Sequence, residues 1–328
     1  MSKSTSTSQS STKGLVVIGV VWAILALLFF LLFSSPGPDG QAPAWFFLGI
    51  TVLETGAFAA SGLLCLRNWR SSQIVSGRGV WLFIGLGLLS YAMGNLFFFL
   101  WGNVWGLDPA VSLGDFFYIL SYIFLAMGML KAVLPRRLNL EPPQWLIIIG
   151  VGLGGIVLAY FVNYLVVETV PAAAPTVESV APEETQPAPE TLPETSDAAP
   201  DIETPAAAAT TSAPQWVINL DNYLEQFESL VALLYLIGDC VLMIIAVTLL
   251  VAFWGGRYSQ SWKLLAIAAF CLYIADMFFA YSVNRGSYEE GRLWEVFWTF
   301  SAVFFGLGAV VEYAISTKSR RSPRRRRA

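Results

Sequence analysis

"WLFIGLGLLSYAMGNLFFF" (residues 81–99) and "WKLLAIAAFCLYIADMFFA" (residues 262–280) decide how this chain is built. Each is long and apolar enough to cross a hydrocarbon layer ~30 Å thick as a helix. Each also carries one polar residue toward its far end, Asn95 in the first and Asp276 in the second. At an offset of 181, Trp81 falls on Trp262, Asn95 on Asp276, Phe97 on Phe278 and Phe98 on Phe279. The runs that follow align at an offset of 180: Asp115 on Glu295, Phe117 on Phe297, Ser121 on Ser301, Phe124 on Phe304 and Gly128 on Gly308. One membrane-spanning pattern occurs twice.

The whole composition agrees with that reading. Hydrophobic residues make up 56% of the chain and charged residues 13%, with a mean hydropathy of +0.62. A soluble domain carries about twice that charge fraction. Apolar runs place eight spans at 14–34, 44–66, 80–101, 113–134, 145–167, 229–254, 262–283 and 293–316. The first run is longer than the apolar core of a signal peptide, so it is expected to remain as a span. Glu54 in span two corresponds to Asp239 in span six, which pairs spans one to four with five to eight. The expected fold is an all-α polytopic membrane helix bundle of two tandem four-helix repeats. Four spans is an even number, so the repeats are parallel, related by an axis along the membrane normal.

Basic residues orient the chain. With a cytoplasmic N-terminus, 17 of the 19 Lys and Arg fall on the inner side, and only Arg285 and Arg292 on the outer. The positive-inside rule then puts both termini in the cytoplasm of a cell membrane. The organisation is a tail at 1–13, a first half at 14–134 and a fifth span at 145–167. A linker at 168–214 follows, then 215–316 with an amphipathic helix and three spans, and a basic tail at 317–328. Residues 168–228 hold twelve Asp or Glu and no Lys or Arg. The linker itself, rich in Pro, Ala, Glu and Thr, cannot bury enough apolar surface to fold, which predicts an extended extracytoplasmic segment. After it, Leu220, Tyr223, Phe227 and Leu230 form one helical face, with Asp221, Glu225 and Glu228 on a face toward solvent. Arg324, Arg325, Arg326 and Arg327 in the tail suit anionic lipid headgroups as well as fixing topology. No nucleic-acid partner is expected.

The polar set within the spans is Glu54, Asn95, Asp115, Asp239, Asp276 and Glu295. A carboxylate at the centre of a span costs about 2.5–3.5 kcal/mol, so five facing lipid would cost roughly 12–17 kcal/mol. They are expected to face the bundle interior. Tyr91, Tyr235 and Tyr273 stand three or four residues before Asn95, Asp239 and Asp276, and Asp115, Tyr118 and Tyr122 share one face. Two readings follow. One is an aromatic-rimmed pocket for a ligand, a cation or protons, with Tyr118 and Tyr273 among its residues. The other is a set of interhelical hydrogen bonds that holds the helices in register, with Arg292 pairing Glu295.

Several chemistries fall away. The chain has no His, so imidazole metal or haem ligation and His-based catalysis are absent. No Lys lies mid-span for a retinal Schiff base. Cys65, Cys240 and Cys271 show no paired spacing and read as core residues, not metal ligands. "GVGLGG" (150–155) lies in an apolar run with no strand before it. Gly150 to Gly154 therefore predicts close helix packing, as does the stripe Ala57, Ser61 and Cys65. No catalytic residue, cofactor or metal is expected.

Gly94-Asn95, Pro109 to Asp115 with Tyr118, Gly238-Asp239, Asp276, and Tyr288 to Gly291 with Glu295 and Trp298 form a recognisable series. It resembles the membrane sensory modules that precede diguanylate cyclase or histidine kinase domains in bacteria. Those modules carry a Gly-Asp pair, a Pro-Ser-x-x-Asp-x-x-Tyr element, and a later Asp with Tyr-x-x-Gly and Asp-x-x-Trp elements. Here Asn95 and Glu295 stand where Asp is usual. The resemblance covers about half the chain and implies a sensor-like, non-enzymatic role. Residues 317–328 hold no output domain, so signalling would pass through a separate cytoplasmic protein. A carboxylate-coupled proton, cation or solute transporter is the alternative, and a structural or accessory subunit of a membrane complex is a third.

Overall fold

The computed structural model describes residues 3–34, 43–107, 111–134, 140–165, 213–253 and 259–321. Residues 168–212 of the linker, residues 322–328 of the basic tail and Pro109 lie outside the described residues. The helices are α1 (Lys3–Phe33), α2 (Ala44–Arg70), α3 (Arg78–Phe99), α4 (Leu113–Val133) and α5 (Pro142–Tyr160). Then come α6 (Gln215–Leu224), α7 (Glu228–Ala252), α8 (Ser259–Asn284) and α9 (Val296–Arg321). π-turns at Leu100–Val104 and Phe161–Leu165 extend α3 and α5, and a 3₁₀ turn at Leu293–Glu295 leads into α9. Among the described residues there is no strand, and eight helices are long and apolar enough to cross a membrane. α6 runs through a single 3₁₀ turn (Glu225–Phe227) into α7, so the two form one of those eight. α1 starts at Lys3, before the expected residue 14, because a helix nucleated in an apolar run propagates cheaply into a polar flank.

Local chemistry sets the ends. Ser112 opens α4 by accepting from Gly114 N–H at 3.1 Å, while Asp115 Oδ2 accepts from Ser112 N–H at 2.7 Å, a reciprocal cap. At α5, Pro142 takes the first helical position, where its missing N–H costs nothing, and Gln144 Oε1 accepts from Glu141 N–H at 3.0 Å.

α2, α3 and α4 pack side by side, and α7, α8 and α9 do the same. The two groups join through α9 against α2 and α4 against α7. At the centre the fully buried Trp81 and Trp262, aligned by the sequence offset, stack with ring centroids 6.4 Å apart. α1 and α5 are placed differently: α1 runs along α9, while α5 is held by α7 and α8. Their outward faces (Ile18, Leu25 and Leu32; Leu146, Leu153 and Val157) are exposed apolar surface of the kind acyl chains cover. One end of the bundle is acidic, with Asp115, Asp221, Glu289 and Glu290; the other is basic, with Arg67, Arg70, Arg78 and Lys131.

Small residues set the closest approaches. Ser61 faces Gly306, as the α2 stripe predicts. The expectation for α5 is corrected: Gly150 and Gly154 have nothing near them, and Gly152 and Gly155 face Ile244 and Met243 of α7. Both pairs are compatible with a small-residue motif, and only the rotation of α5 chooses between them. A Cβ on Gly128 would lie 2.9 Å from Ile84 N, so α4 crosses α3 there at backbone contact. Gly128→Val is therefore expected to cost about 1–3 kcal/mol or more through overpacking, whereas Gly150→Val leaves stability unchanged. Thermal unfolding of the two variants in detergent measures the contrast.

Candidate functional site

The polar set gathers toward the acidic end, on α2 (Glu54), α3 (Asn95), α4 (Asp115), α7 (Asp239), α8 (Asp276) and the turn before α9 (Glu295). Its two halves are built on one plan. In the first, Asn95 Nδ2 donates to Glu54 Oε1 at 3.0 Å, and Tyr118 O–H donates to Asn95 Oδ1 at 2.8 Å. In the second, Trp298 Nε1 donates to Asp276 Oδ1 at 2.8 Å, and Asp276 meets Asp239 through the hydroxyl of Tyr122. Trp298 stands 180 residues after Tyr118, so donor, central residue and acid correspond position by position.

The difference lies at the central residue. Asn95 has an N–H₂ to give Glu54, but Asp276 has none to give Asp239. Tyr122 stands between them, 2.7 Å from Asp239 Oδ1 and 2.7 Å from Asp276 Oδ2. A phenol has one proton: it donates to one carboxyl and must accept from the other. Both contacts are hydrogen bonds only if the pair carries a proton. Asp239 is 3% exposed and Asp276 is half-buried, so the pair is open at the Asp276 side.

Two glycines set the tyrosines. Tyr118 lies across Gly94 and Tyr122 across Gly238, and a Cβ at either glycine would fall 2.6 Å from the ring. In each case the hydroxyl then reaches the residue after the glycine, Asn95 or Asp239. The Gly-Asn and Gly-Asp pairs are thus seats for the two tyrosines of α4.

The remaining candidates divide. Asp115 is saturated: besides its cap bonds it accepts from Tyr235 O–H at 2.7 Å, tying α4 to α7. Glu295 Oε2 accepts from Gly291 N–H at 2.9 Å, and Oε1 is buried without a partner. Tyr273 is not in the polar set; its hydroxyl donates to Gly155 O at 2.7 Å on α5. Tyr91 stacks on Phe58, and Arg292 pairs at 2.7 Å with Glu289, which shares its exposure, not with buried Glu295. Asp221 accepts from Trp101 Nε1 at 2.9 Å and docks α6 on the π-turn of α3, correcting the solvent-facing placement. Among the described residues no Lys or Arg is ion-paired with the polar set.

Glu290 and Glu312 were missed, and Tyr288 stood only as a motif position outside the candidate set. Tyr288 and Glu290, in the turn before α9, lie within electrostatic reach of Glu54 and Glu295. Burial pushes the Glu290 carboxyl above its usual range against the opposing Asn103 amide, and burial, then the charges of Glu295 and Glu290, push the Tyr288 phenol well up. At the basic end, fully buried Glu312 accepts from Ser316 Oγ (3.0 Å), Ser261 Oγ (3.2 Å) and Ser76 N–H (3.3 Å), joining α9, α8 and the α2–α3 turn. An acid inside the last span was its only signal.

No family model, curated protein or solved structure matches the chain.

If the glycine seats position the tyrosines, Gly94→Ala and Gly238→Ala each cost about 1–3 kcal/mol by displacing a ring. Gly238→Ala should also weaken the Tyr122 bridge. Thermal unfolding beside tyrosine ultraviolet difference spectra separates the ring displacement from general loosening.

Proposed function

We propose that the protein is a non-enzymatic, sensor-like membrane protein. On this reading its aspartate pair takes up a proton or a cationic ligand, and it acts through a separate partner. The observation that carries this reading is the Tyr122 hydroxyl held between Asp239 and Asp276, with no basic group paired to either acid among the described residues. A buried pair short of one positive charge is a binding site for one. Its occupancy bears on how α4 sits against α7 and α8, the contact between the two halves of the chain. The likeness of Gly238-Asp239, Asp276 and Trp298 to the motifs of sensory modules supports signalling over catalysis. We further propose the parallel repeat, both termini in the cytoplasm of a cell membrane, and Arg324–Arg327 against anionic lipid. The 17-to-2 division of basic residues supports that orientation.

The carboxylate-coupled transporter is the second reading, favoured by the partial exposure of Asp276. Reconstituted vesicles distinguish the two. A sensor leaves the internal pH and cation content unchanged, and a transporter dissipates an imposed gradient.

The pair also has a pH signature. The folded form holds a proton that two separated aspartates release above about pH 5. The folded state then binds more protons than the unfolded one, so stability falls as pH rises. Asp276→Asn keeps the hydrogen bonds without the titration: it is expected to fold, to flatten the pH profile and to abolish cation-dependent changes. Asp276→Leu leaves Trp298 Nε1 unpaired, at about 1–3 kcal/mol. Melting temperatures across pH, with and without alkali cations or a small organic amine, measure both. An Asn variant with the parental pH profile contradicts the proposal.

A further inference from the structure

Asp115 lies in the first turn of α4 and Glu295 in the 3₁₀ turn that leads into α9, and each accepts a backbone N–H from the residues before it. Asp115 has a further donor, Tyr235 of α7. The offset of 185 that relates Glu54 to Asp239 puts Ile50 of α2 where Tyr235 stands on α7. Ile50 is indeed beside the Glu295 turn: a Cβ on Gly291 would meet its Cδ1 at 3.2 Å and would strike the ring of Phe46. On this correspondence the helix beside the Glu295 turn carries an isoleucine where the helix beside Asp115 carries a phenol. Oε1 of Glu295, on a residue 2% exposed, has no hydrogen-bond partner among the described residues.

Among the described residues no element around Glu295 supplies it a compensating charge. α2 brings Glu54, with apolar Phe46 and Ile50 beside the turn. α1 brings Ala26 and Phe30. The 285–292 turn brings Tyr288, Glu290, the Arg292 backbone N–H and the Arg292–Glu289 pair, whose members are both exposed and satisfy one another, with Arg285 donating to the Tyr281 hydroxyl at 3.2 Å. Among the described residues the charges acting on Glu295 are thus acids, and both cations of the turn are engaged elsewhere. Among the described residues no group of carboxyls is arranged to hold a metal ion.

We propose that Glu295 is a proton-binding site of its own, separate from the aspartate pair, with the proton carried on Oε1. The protonated side chain lets the 285–292 turn close against α2, with Gly291 in the left-handed conformation (φ 92°) that its contact with Phe46 requires. Loss of the proton to external water leaves a carboxylate oxygen against Phe46 and Ile50. The turn must then open to admit water to it. The chemistry is reversible protonation, with water as the proton's source and acceptor. It stands whether or not the aspartate pair binds a ligand.

Infrared titration of the full chain in detergent tests this, using the carbonyl stretch of neutral carboxylic acids. The parent is expected to show such a band at neutral pH. Glu295→Gln should remove one component, and Asp276→Asn a different one. A parent without a neutral-acid band at neutral pH, or a Glu295→Gln variant that retains every component, overturns the proposal. Loss of only the Asp276-dependent component on Asp276→Asn keeps the two sites distinct. Trypsin provides the second readout, since Arg285 and Arg292 flank the turn. After normalisation to a peptide substrate, parental cleavage there is expected to rise severalfold with pH and to stay level in Glu295→Gln. Cleavage that is independent of pH in the parent also overturns it.

Discussion

One hydroxyl group between two carboxyls organises the acidic half of this bundle. Tyr122 comes from α4, Asp239 from α7 and Asp276 from α8, so three helices from both halves of the chain meet at a single oxygen. In a low-dielectric interior an unsatisfied carboxylate is far costlier than in water. The bridge therefore constrains helix rotation as well as charge: turning α4 by one residue would remove the phenol from both acids. Trp298 completes Asp276 from α9, and the glycine at 238 makes room for the ring.

A similar arrangement recurs in the first half, with Glu54, Asn95 and Tyr118 where the second has Asp239, Asp276 and Trp298, and the change at the central residue alters the chemistry most. An amide at Asn95 donates to Glu54 and accepts from Tyr118, so its hydrogen bonds need no titrating proton. On the proposed reading, an acid at Asp276 turns the matching place into one that binds a positive charge. The pair Asp115 and Glu295 diverges in the other direction, because a tyrosine on α7 has an isoleucine as its counterpart on α2.

Much of this was legible in the chain. Apolar runs of about 20 residues identified eight spans, and the matching Trp81, Asn95 and Asp115 against Trp262, Asp276 and Glu295 pointed to the polar set. Partners were not legible. Tyr235 and Tyr273 were expected beside the acids three or four residues away on their own helices, yet Tyr118, Tyr122, Tyr235 and Tyr273 all bond to a different helix. A phenol hydroxyl stands much farther from its own backbone than an aspartate carboxyl does, so it passes its helical neighbour and ends on the next element. Sequence spacing says which residues share a face and nothing about what that face meets. Gly152 and Gly155, not Gly150 and Gly154, lie at the α5 contact for the same reason, and Glu312 was hidden because its serine donors come from three separate segments.

The most direct test of the central claim is a double-mutant cycle between Tyr122→Phe and Asp276→Leu, read as unfolding free energy in detergent at neutral pH. If the phenol and the acid share a proton, each single change disrupts the same bridge. The two effects should then fall short of additive by about 1 kcal/mol or more. Additive effects within about 0.5 kcal/mol would show that Tyr122 and Asp276 act independently, and would contradict the shared-proton pair.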